Sequence, residues 1–173
     1  MKKNAMIMAL LSAGLMSSIV NAAPASTTLE WRGFVGGAID GSDITLTGQG
    51  GGDIQKGVLS VSDDGSFATE RAIIVEAHAI DESGNVLDFY DGDVAWNISA
   101  TNVSHAAYDV NDIVISMNGK PIEEGTPVVT NAGKHIVGFS ASSPVPANVA
   151  MLTPGDTVSV TTMVFAEPSV VTP

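Results

Sequence analysis

Residues 27–35 read Thr27-Thr28-Leu29-Glu30-Trp31-Arg32-Gly33-Phe34-Val35, and this stretch says most about the kind of fold the chain can form. Side chains of an extended strand point alternately to its two faces. One face of this stretch therefore carries Thr27, Leu29, Trp31, Gly33 and Val35. The charged Glu30 and Arg32 fall on the other face. The alternation predicts a strand near the N-terminus with one face made for burial, as the first strand of any β-sandwich would also have.

After residue 36 the sequence continues in short β-branched runs separated by Gly, Asp, Asn and Pro, and helical periodicity is nearly absent. Evenly spaced runs of this kind are typical of a sandwich or barrel. The predicted strands are Ile44–Thr47, Gly57–Ser62, Ala72–Ile80, Val86–Tyr90, Val94–Ala100, Ile113–Met117, Val128–Val129, His135–Ser140 and Thr157–Ala166. The fold class is therefore predicted to be all-β.

Turns are predicted where Gly, Asp and Asn cluster between these runs. Asn118-Gly119 is the strongest hairpin signal, because a type I′ turn needs a positive φ at both of its central residues. Gly48–Asp53, with four glycines, is predicted to be a flexible loop. Further turns are expected at Asp63–Gly65, Glu82–Asn85 and Asp91–Gly92.

The N-terminus has the pattern of a secretory signal peptide. Lys2 and Lys3 precede an apolar stretch from Ala5 to Val20, and Val20-Asn21-Ala22 is a small-residue cleavage site. The apolar stretch is too short to be a confident membrane span. We expect residues 1–22 to be removed, residues 23–36 to form an N-terminal extension, and residues 37–173 to form one domain of an exported protein.

Composition excludes several classes of function. The 173-residue chain contains no cysteine, which rules out thiol catalysis, cysteine-based metal sites and a disulfide. Its formal net charge of −12 repels nucleic acid phosphates, so no nucleic acid partner is expected. Acidity of this degree is also what simple solubility in a secreted protein would produce.

No residue pattern predicts a catalytic or cofactor site. The three histidines, His78, His105 and His135, show no metal-ligand spacing. His78 is expected to point outward beside Glu76, opposite the apolar face of its strand. Trp96 and Phe139 are interpreted as core residues rather than as a platform for a ligand.

Three aspartates near one turn raise the alternative of a calcium site. Asp88, Asp91 and Asp93 lack the spacing and the distal Glu of a calcium loop, so a hairpin turn is the preferred interpretation. The stretch Asp40–Asp43 is interpreted in the same way. Neither a metal nor another cofactor is predicted.

The pattern Leu29-x-Trp31-x-Gly33-x-Val35 resembles the donor strand of chaperone–usher fimbrial subunits, the pilins. The resemblance implies that residues 23–36 are a donor-strand extension and that Gly33 faces a pocket too tight for a side chain. The segment from Ile113 to Ile122 resembles a hairpin of cysteine-free colonisation-factor shaft subunits. Gly155–Ala166 resembles the last pilin strand.

In the pilin family the last strand lines a groove and contacts the periplasmic chaperone first. The residues to which this role carries over share one face: Val158, Val160, Thr162, Val164 and Ala166. The chain departs from the family at its end, where the customary aromatic residue is missing. Pro168 also prevents a strand from running to the C-terminus.

The resemblance implies an incomplete immunoglobulin-like β-sandwich, completed by an N-terminal strand donated by another subunit. The implied function is a shaft subunit of a fimbrium at the cell surface, supporting cell adhesion without enzymatic activity. The implied partners are other copies or sibling pilins, a periplasmic chaperone and an outer-membrane usher. Whether the subunit also binds a host receptor is left open.

Two other classes of function remain as alternatives. A self-contained secreted β-sandwich that binds a ligand such as a carbohydrate would have the same composition and no missing strand. A hydrolase is disfavoured, because no local nucleophile motif is present.

Overall fold

The computed structural model describes residues 43–133, 135–144 and 148–169, which all lie in one compact unit. These residues form eleven β-strands and three short 3₁₀ turns, with no α-helix among them. The strands are β1 Ile44–Thr47, β2 Val58–Val61, β3 Phe67–Arg71, β4 Ile73–Ile80, β5 Val86–Phe89, β6 Val94–Val103, β7 Val114–Met117, β8 Lys120–Pro121, β9 Val128–Thr130, β10 Ile136–Ser143 and β11 Val160–Pro168. The 3₁₀ turns are Gln49–Gly51, Val110–Asp112 and Val149–Met151.

The strands form two antiparallel sheets. The large sheet has eight strands, with the order β1-β4-β10-β3-β2, β5 on β4, β7 on β10, and β8 on β7. The small sheet has three strands in the order β11-β6-β9. The prediction of an all-β fold is confirmed, and two antiparallel sheets are consistent with a β-sandwich.

Strand β10 organises the large sheet by pairing with three strands along its length. It pairs with β4, then with β7, and at its end with β3. Between its β4 and β3 pairings, the Thr69 hydroxyl bonds both backbone groups of Ala141. It donates to the carbonyl oxygen at 2.9 Å and accepts from the N–H at 2.7 Å. A side chain thus satisfies polar backbone groups where the ladder is interrupted.

The core lies between the sheets and draws on both. The large sheet contributes Ile44, Val75, Ala77, Ile115, Met117, Val137 and Phe139, and the small sheet contributes Val94, Trp96 and Ile98. Trp96 is 1% exposed, and its ring lies 6.1 Å from that of Phe139. Its indole N–H donates to the Thr130 hydroxyl at 2.9 Å, which removes the cost of burying it unpaired. The interpretation of Trp96 and Phe139 as core residues is confirmed.

A second, smaller cluster closes one end of the domain around Phe67, Ala107 and Tyr108. The Phe67 and Tyr108 rings meet edge to face at 5.2 Å. The Tyr108 hydroxyl donates to the Gly65 carbonyl at 2.9 Å, so its polar end is satisfied inside the protein.

All nine strands predicted within the described residues are found, with ends that differ by up to three residues. β3 and the two-residue β8 were missed. β3 reads Phe-Ala-Thr-Glu-Arg, and its apolar residues do not continue along one face, so alternation gave no signal. The turn at Asn118-Gly119 is confirmed, with φ of 51° and 77° at these two residues.

The stretch Gly48–Asp53, predicted to be a flexible loop, contains a short hydrogen-bonded turn. Gln49–Gly51 form a 3₁₀ turn in which the Gly48 N–H donates to the Gly52 carbonyl at 2.7 Å. A Cβ atom on Gly48 would collide with the Asp53 carbonyl oxygen, so no other residue fits there. Among the described residues no helix is long and apolar enough to cross a membrane.

Candidate assembly edge

Strand β11 lies at the edge of the small sheet. It pairs with β6 from Val160 opposite Val103 to Pro168 opposite Val94. Within residues 43–133, 135–144 and 148–169, no strand pairs with its second edge. One edge of a nine-residue strand therefore presents backbone groups that the described part of the chain leaves without a ladder partner.

The inward face of β11 is half-buried along its whole length. Exposed and half-buried residues alternate from Val160 to Pro168, and none is fully buried. Val160, Val164 and Ala166 pack against the core that contains Trp96. β11 thus contributes to the core without being enclosed by it, whereas Val94, Trp96 and Ile98 on neighbouring β6 are each at most 2% exposed.

The five residues predicted to line a groove all lie on this inward side, but they pack in two places. Val158 precedes the strand and packs on the cluster around Phe67 and Tyr108. Val160 contacts both clusters. Thr162 is held by polar contacts, because its hydroxyl donates to the Ser99 carbonyl at 3.2 Å and lies 3.1 Å from the Thr101 hydroxyl.

A β-bulge that the sequence did not predict lies opposite Thr162. The pairing of β11 with β6 shifts between Thr161 and Met163, and Ala100 on β6 has a φ of 51°. Bulges bend a strand and increase its twist. Val160 lies beyond the bulge and packs on both clusters. No sequence signal identified it, because alanine rarely has a positive φ.

Pro168 is the last residue of β11 and lies opposite Val94 on β6. The N–H of the next residue, Ser169, donates to the Asp93 carbonyl at 2.8 Å, so the hydrogen bonding continues although proline has no N–H. The described residues end at Ser169, so the prediction that no strand continues from Pro168 to the C-terminus stays a prediction.

The residues predicted to be donated, Thr27, Leu29, Trp31, Gly33 and Val35, lie outside the described residues. The same is true of the signal peptide and of the boundary between residues 36 and 37. These predictions stay predictions.

The expectation that His78 points outward is wrong. His78 is 8% exposed, and its neighbour Glu76 is 2% exposed. The turn at Gln49–Gly51 and strand β5 cover this face of β4: the Gly51 N–H donates to Glu76 at 3.1 Å, and the Phe89 ring stacks on His78 with centroids 4.6 Å apart. The alternation identified the polar side of the strand correctly, but polar did not mean exposed.

Glu76 and His78 form a buried pair. The His78 Nε2 lies 3.2 Å from a Glu76 carboxylate oxygen, and its Nδ1 lies 3.0 Å from the Leu87 carbonyl oxygen. Burial opposes ionisation of Glu76, but the backbone N–H groups of Gly50 and Gly51 and the His78 ring outweigh it, so the pKa of Glu76 is lowered. Both ring nitrogens of His78 therefore lie against oxygen atoms, one of the Glu76 carboxylate and one of the Leu87 backbone.

The other histidines do not converge with this pair into a metal site. His135 stacks on Phe89 with centroids 5.5 Å apart, and its Nδ1 is buried without a hydrogen-bond partner. His105 lies 3.3 Å from Asp156 at a different place in the fold. Among the described residues no three histidine or acidic side chains are grouped so that they could hold a metal ion.

The acidic residues near β5 have separate roles. Asp93 accepts a hydrogen bond from the Ala132 N–H at 2.7 Å and so ties two loops together. Asp88 lies on β5 with its side chain exposed, and Asp91 lies in the connection from β5 to β6. The prediction of a hairpin turn here is wrong, because β5 pairs within the large sheet and β6 within the small sheet, so this stretch crosses from one sheet to the other.

No model of a known protein family matches the chain, and no curated protein shows detectable similarity to it. The resemblance to pilins stays a prediction from the residues quoted above.

Proposed function

We propose that the chain is a structural shaft subunit of a fimbrium that polymerises by donor-strand exchange. The observation that carries the proposal is β11, a long strand at a sheet edge whose inward apolar row is packed on the core but only half-buried. In the proposed assembly, residues 27–35 of another copy pair with this edge and cover that row. The mechanism is β-strand addition, in which backbone bonds supply affinity and alternate side chains fill pockets.

The two segments match in length and in pattern. β11 spans nine residues, and so does the segment from Thr27 to Val35. Each has its apolar residues on alternate positions, so one register buries both apolar rows against the same core. In this view the described residues form an incomplete immunoglobulin-like sandwich, and the donated strand completes its small sheet.

The energies are large enough for a durable polymer. Burying Leu29, Trp31 and Val35 contributes about 1.5–3 kcal/mol for each side chain. Each ladder hydrogen bond adds roughly 0.5–1.5 kcal/mol. Ordering a free segment offsets part of this gain. Since an open apolar edge invites aggregation, a periplasmic chaperone would cover β11 until an outer-membrane usher exchanges it for the next subunit.

Strand complementation tests the proposal. A copy of Ser26–Gly36 is joined by a flexible linker to the C-terminus of the mature chain, and the melting temperature of the monomer is measured. We expect the melting temperature to rise, because the appended strand covers the inward row of β11. A matched variant carries Gly33→Arg in the appended copy and should gain little, because the arginine would have to enter the core side of the sheet.

The proposal would be overturned by an unmodified mature chain that is already a stable monomer and gains nothing from the appended strand. A second test uses the natural segment. Gly33→Arg in the full chain should be exported normally and fail to form fibres, whereas fibres of normal yield would remove Gly33 from the donor role.

A further inference from the structure

The turn between β7 and β8 contains Asn118-Gly119, the only Asn-Gly pair in the sequence. Both residues are exposed, and a Cβ atom added at Gly119 would meet no atom within 4 Å, so water reaches this turn freely. An asparagine followed by glycine loses its side-chain amide with particular ease, because the glycine has no side chain to hinder attack by its backbone nitrogen. The turn therefore carries a reactive dipeptide in an accessible place.

Loss of this amide needs only the two residues and water. The Gly119 backbone nitrogen attacks Asn118 Cγ and gives up its proton, the side-chain nitrogen leaves as ammonia, and a five-membered cyclic imide forms. Water then opens either imide carbonyl and returns a proton to the Gly119 nitrogen. The product at position 118 is an aspartyl or an isoaspartyl residue, depending on which carbonyl is attacked. No atom is oxidised or reduced.

The folded hairpin holds Asn118 in a geometry that opposes this attack. The φ angles of 51° at Asn118 and 77° at Gly119 are those of the left-handed conformation in a type I′ turn. The Asn118 side-chain oxygen accepts a hydrogen bond from the Gly138 N–H at 2.8 Å, and the Asn118 N–H donates to the Gly138 carbonyl at 2.8 Å. To close the imide ring, Asn118 has to leave the left-handed conformation and turn its side chain towards Gly119. The first movement disrupts the turn, and the second breaks the hydrogen bond from Gly138.

We propose that Asn118 is a site of spontaneous deamidation that the folded hairpin keeps closed, and that an isoaspartyl residue formed there prevents the hairpin from forming again. The site opens when β7 and β8 separate from β10. β7 lies along β10, and its residues Ile115 and Met117 are 5% and 4% exposed, so this separation also opens the core. Conversion at Asn118 therefore measures how often this part of the large sheet opens, whether or not the chain forms fibres.

The two products differ in their effect on the turn. The aspartyl product keeps the length of the backbone, retains an oxygen that accepts from the Gly138 N–H, and suits a type I′ turn as asparagine does. The isoaspartyl product routes the main chain through the former side chain and adds one carbon atom to it. A two-residue turn fixes the register of its strands, here Met117 opposite Lys120, and a longer backbone does not fit that register. Only the isoaspartyl product is therefore incompatible with the hairpin.

The rate of conversion with and without denaturant tests whether the fold closes the site. The mature chain is kept in a mildly alkaline buffer, with or without denaturing urea, and conversion at Asn118 is followed by peptide mass spectrometry. We expect conversion to be at least about tenfold slower in the folded chain. Asn131, which precedes an alanine, is the control in the same chain and should convert much more slowly than Asn118 in urea. Equal rates at Asn118 with and without urea would overturn the closure, and a rate in urea no faster than that of Asn131 would remove the reactive site.

A matched pair of variants tests the route by which the site opens. Ile115→Val shortens a side chain on β7 that is 5% exposed, whereas Ile54→Val makes the same change where the side chain is 42% exposed. In buffer without urea, Ile115→Val should speed conversion at Asn118 severalfold, because it weakens the packing that holds β7 in the sheet. Ile54→Val should leave the rate unchanged. If Ile115→Val keeps the wild-type rate, separation of β7 does not control the reaction and the proposed route is wrong.

Refolding distinguishes the effects of the two products. A chain partly converted in urea is diluted into buffer, and the folded and unfolded molecules are separated by size-exclusion chromatography. We expect asparagine and aspartate at position 118 in the folded fraction, and isoaspartate enriched severalfold in the unfolded fraction. Asn118→Asp should melt close to wild type, because it keeps an acceptor for the Gly138 N–H. Isoaspartate shared equally between the two fractions would overturn its proposed effect on the hairpin.

Discussion

The sides of β4 and β11 that face away from the core differ in a way that their sequences do not suggest. On β4 this side carries Glu76 and His78, which are 2% and 8% exposed. On β11 it carries Met163 and Phe165, which are 53% and 48% exposed. Charged groups are covered in the first case, and large apolar groups are open in the second.

The position of each strand in its sheet explains the contrast. β4 is an inner strand with β1 on one edge and β10 and β5 on the other, and the turn at Gln49–Gly51 covers its outward side. Its polar groups are tolerated because every one has a partner. β11 pairs with one strand only among the described residues, and its outward residues Thr161, Met163, Phe165 and Glu167 are exposed.

The largest effect is expected from removing the buried charge on β4. Glu76→Ala leaves the buried His78 ring and the Gly51 N–H without their acceptor, and each buried donor left unsatisfied costs about 1–3 kcal/mol. Since two groups lose their acceptor, we expect a loss of about 3 kcal/mol in the free energy of unfolding measured with urea. The matched change Glu167→Ala on the exposed side of β11 should stay within about 0.5 kcal/mol. Equal losses from the two changes would contradict the contrast between the strands.

Acid should erase the advantage that Glu76 provides. The pKa of Glu76 in the folded state is lowered from its usual 4.5, so its stabilising effect is fully present above pH 4.5. That effect is lost as the pH falls through the folded pKa, where the carboxylate takes up a proton. Unfolding of wild type and Glu76→Gln, measured from about pH 7 downward, should show a difference in stability that shrinks below pH 4.5. A difference that stays constant down to about pH 3 would show that ionisation of Glu76 does not matter.

A smaller effect should separate the two faces of β11 itself. Val164→Ala removes apolar surface that is half-buried against the core, and we expect a loss of about 1 kcal/mol. Phe165→Ala, on the side of β11 that faces away from the core, should change the free energy of unfolding by less than about 0.5 kcal/mol, although it removes a larger side chain. In the chain that carries the appended copy of Ser26–Gly36, Val164→Ala should lower the free energy of unfolding by more, because the added strand completes the burial of Val164. Unchanged costs with and without the appended strand would indicate that it does not cover this row.

Much of the secondary structure could be predicted from local patterns. The β-branched runs of β1 and β4 alternate clearly enough to be located within one residue of their observed starts. The pair Asn118-Gly119 predicted the turn between β7 and β8, because few other residue pairs accept a positive φ at both central positions of a turn. The apolar face of Val160, Val164 and Ala166 was also predicted correctly, because period-two alternation reports which side of a strand faces a core.

Other features depended on contacts between distant residues. β3 is bound to β10 partly by the hydrogen bond between the Thr69 hydroxyl and the Ala141 carbonyl, which are 72 residues apart. A local sequence pattern cannot predict a contact at that separation. The burial of His78 depends on Gly51 and on Phe89, which approach it from two separate segments. The bulge at Ala100 lies where the pairing of β6 with β11 shifts register, and that pairing joins two segments far apart in the chain.

The sequence by itself determined that this chain is an all-β protein without cysteines, with strands at Ile44–Thr47 and near Ile73–Ile80, a tight turn at Asn118-Gly119, and an apolar face on its last strand. These properties follow from side-chain periodicity and backbone preference, which act over a few residues. Only the tertiary structure decided that Glu76 and His78 are buried and that Phe165 is open. Burial depends on which segments pack over a strand, and this is set by pairings between residues far apart in the chain.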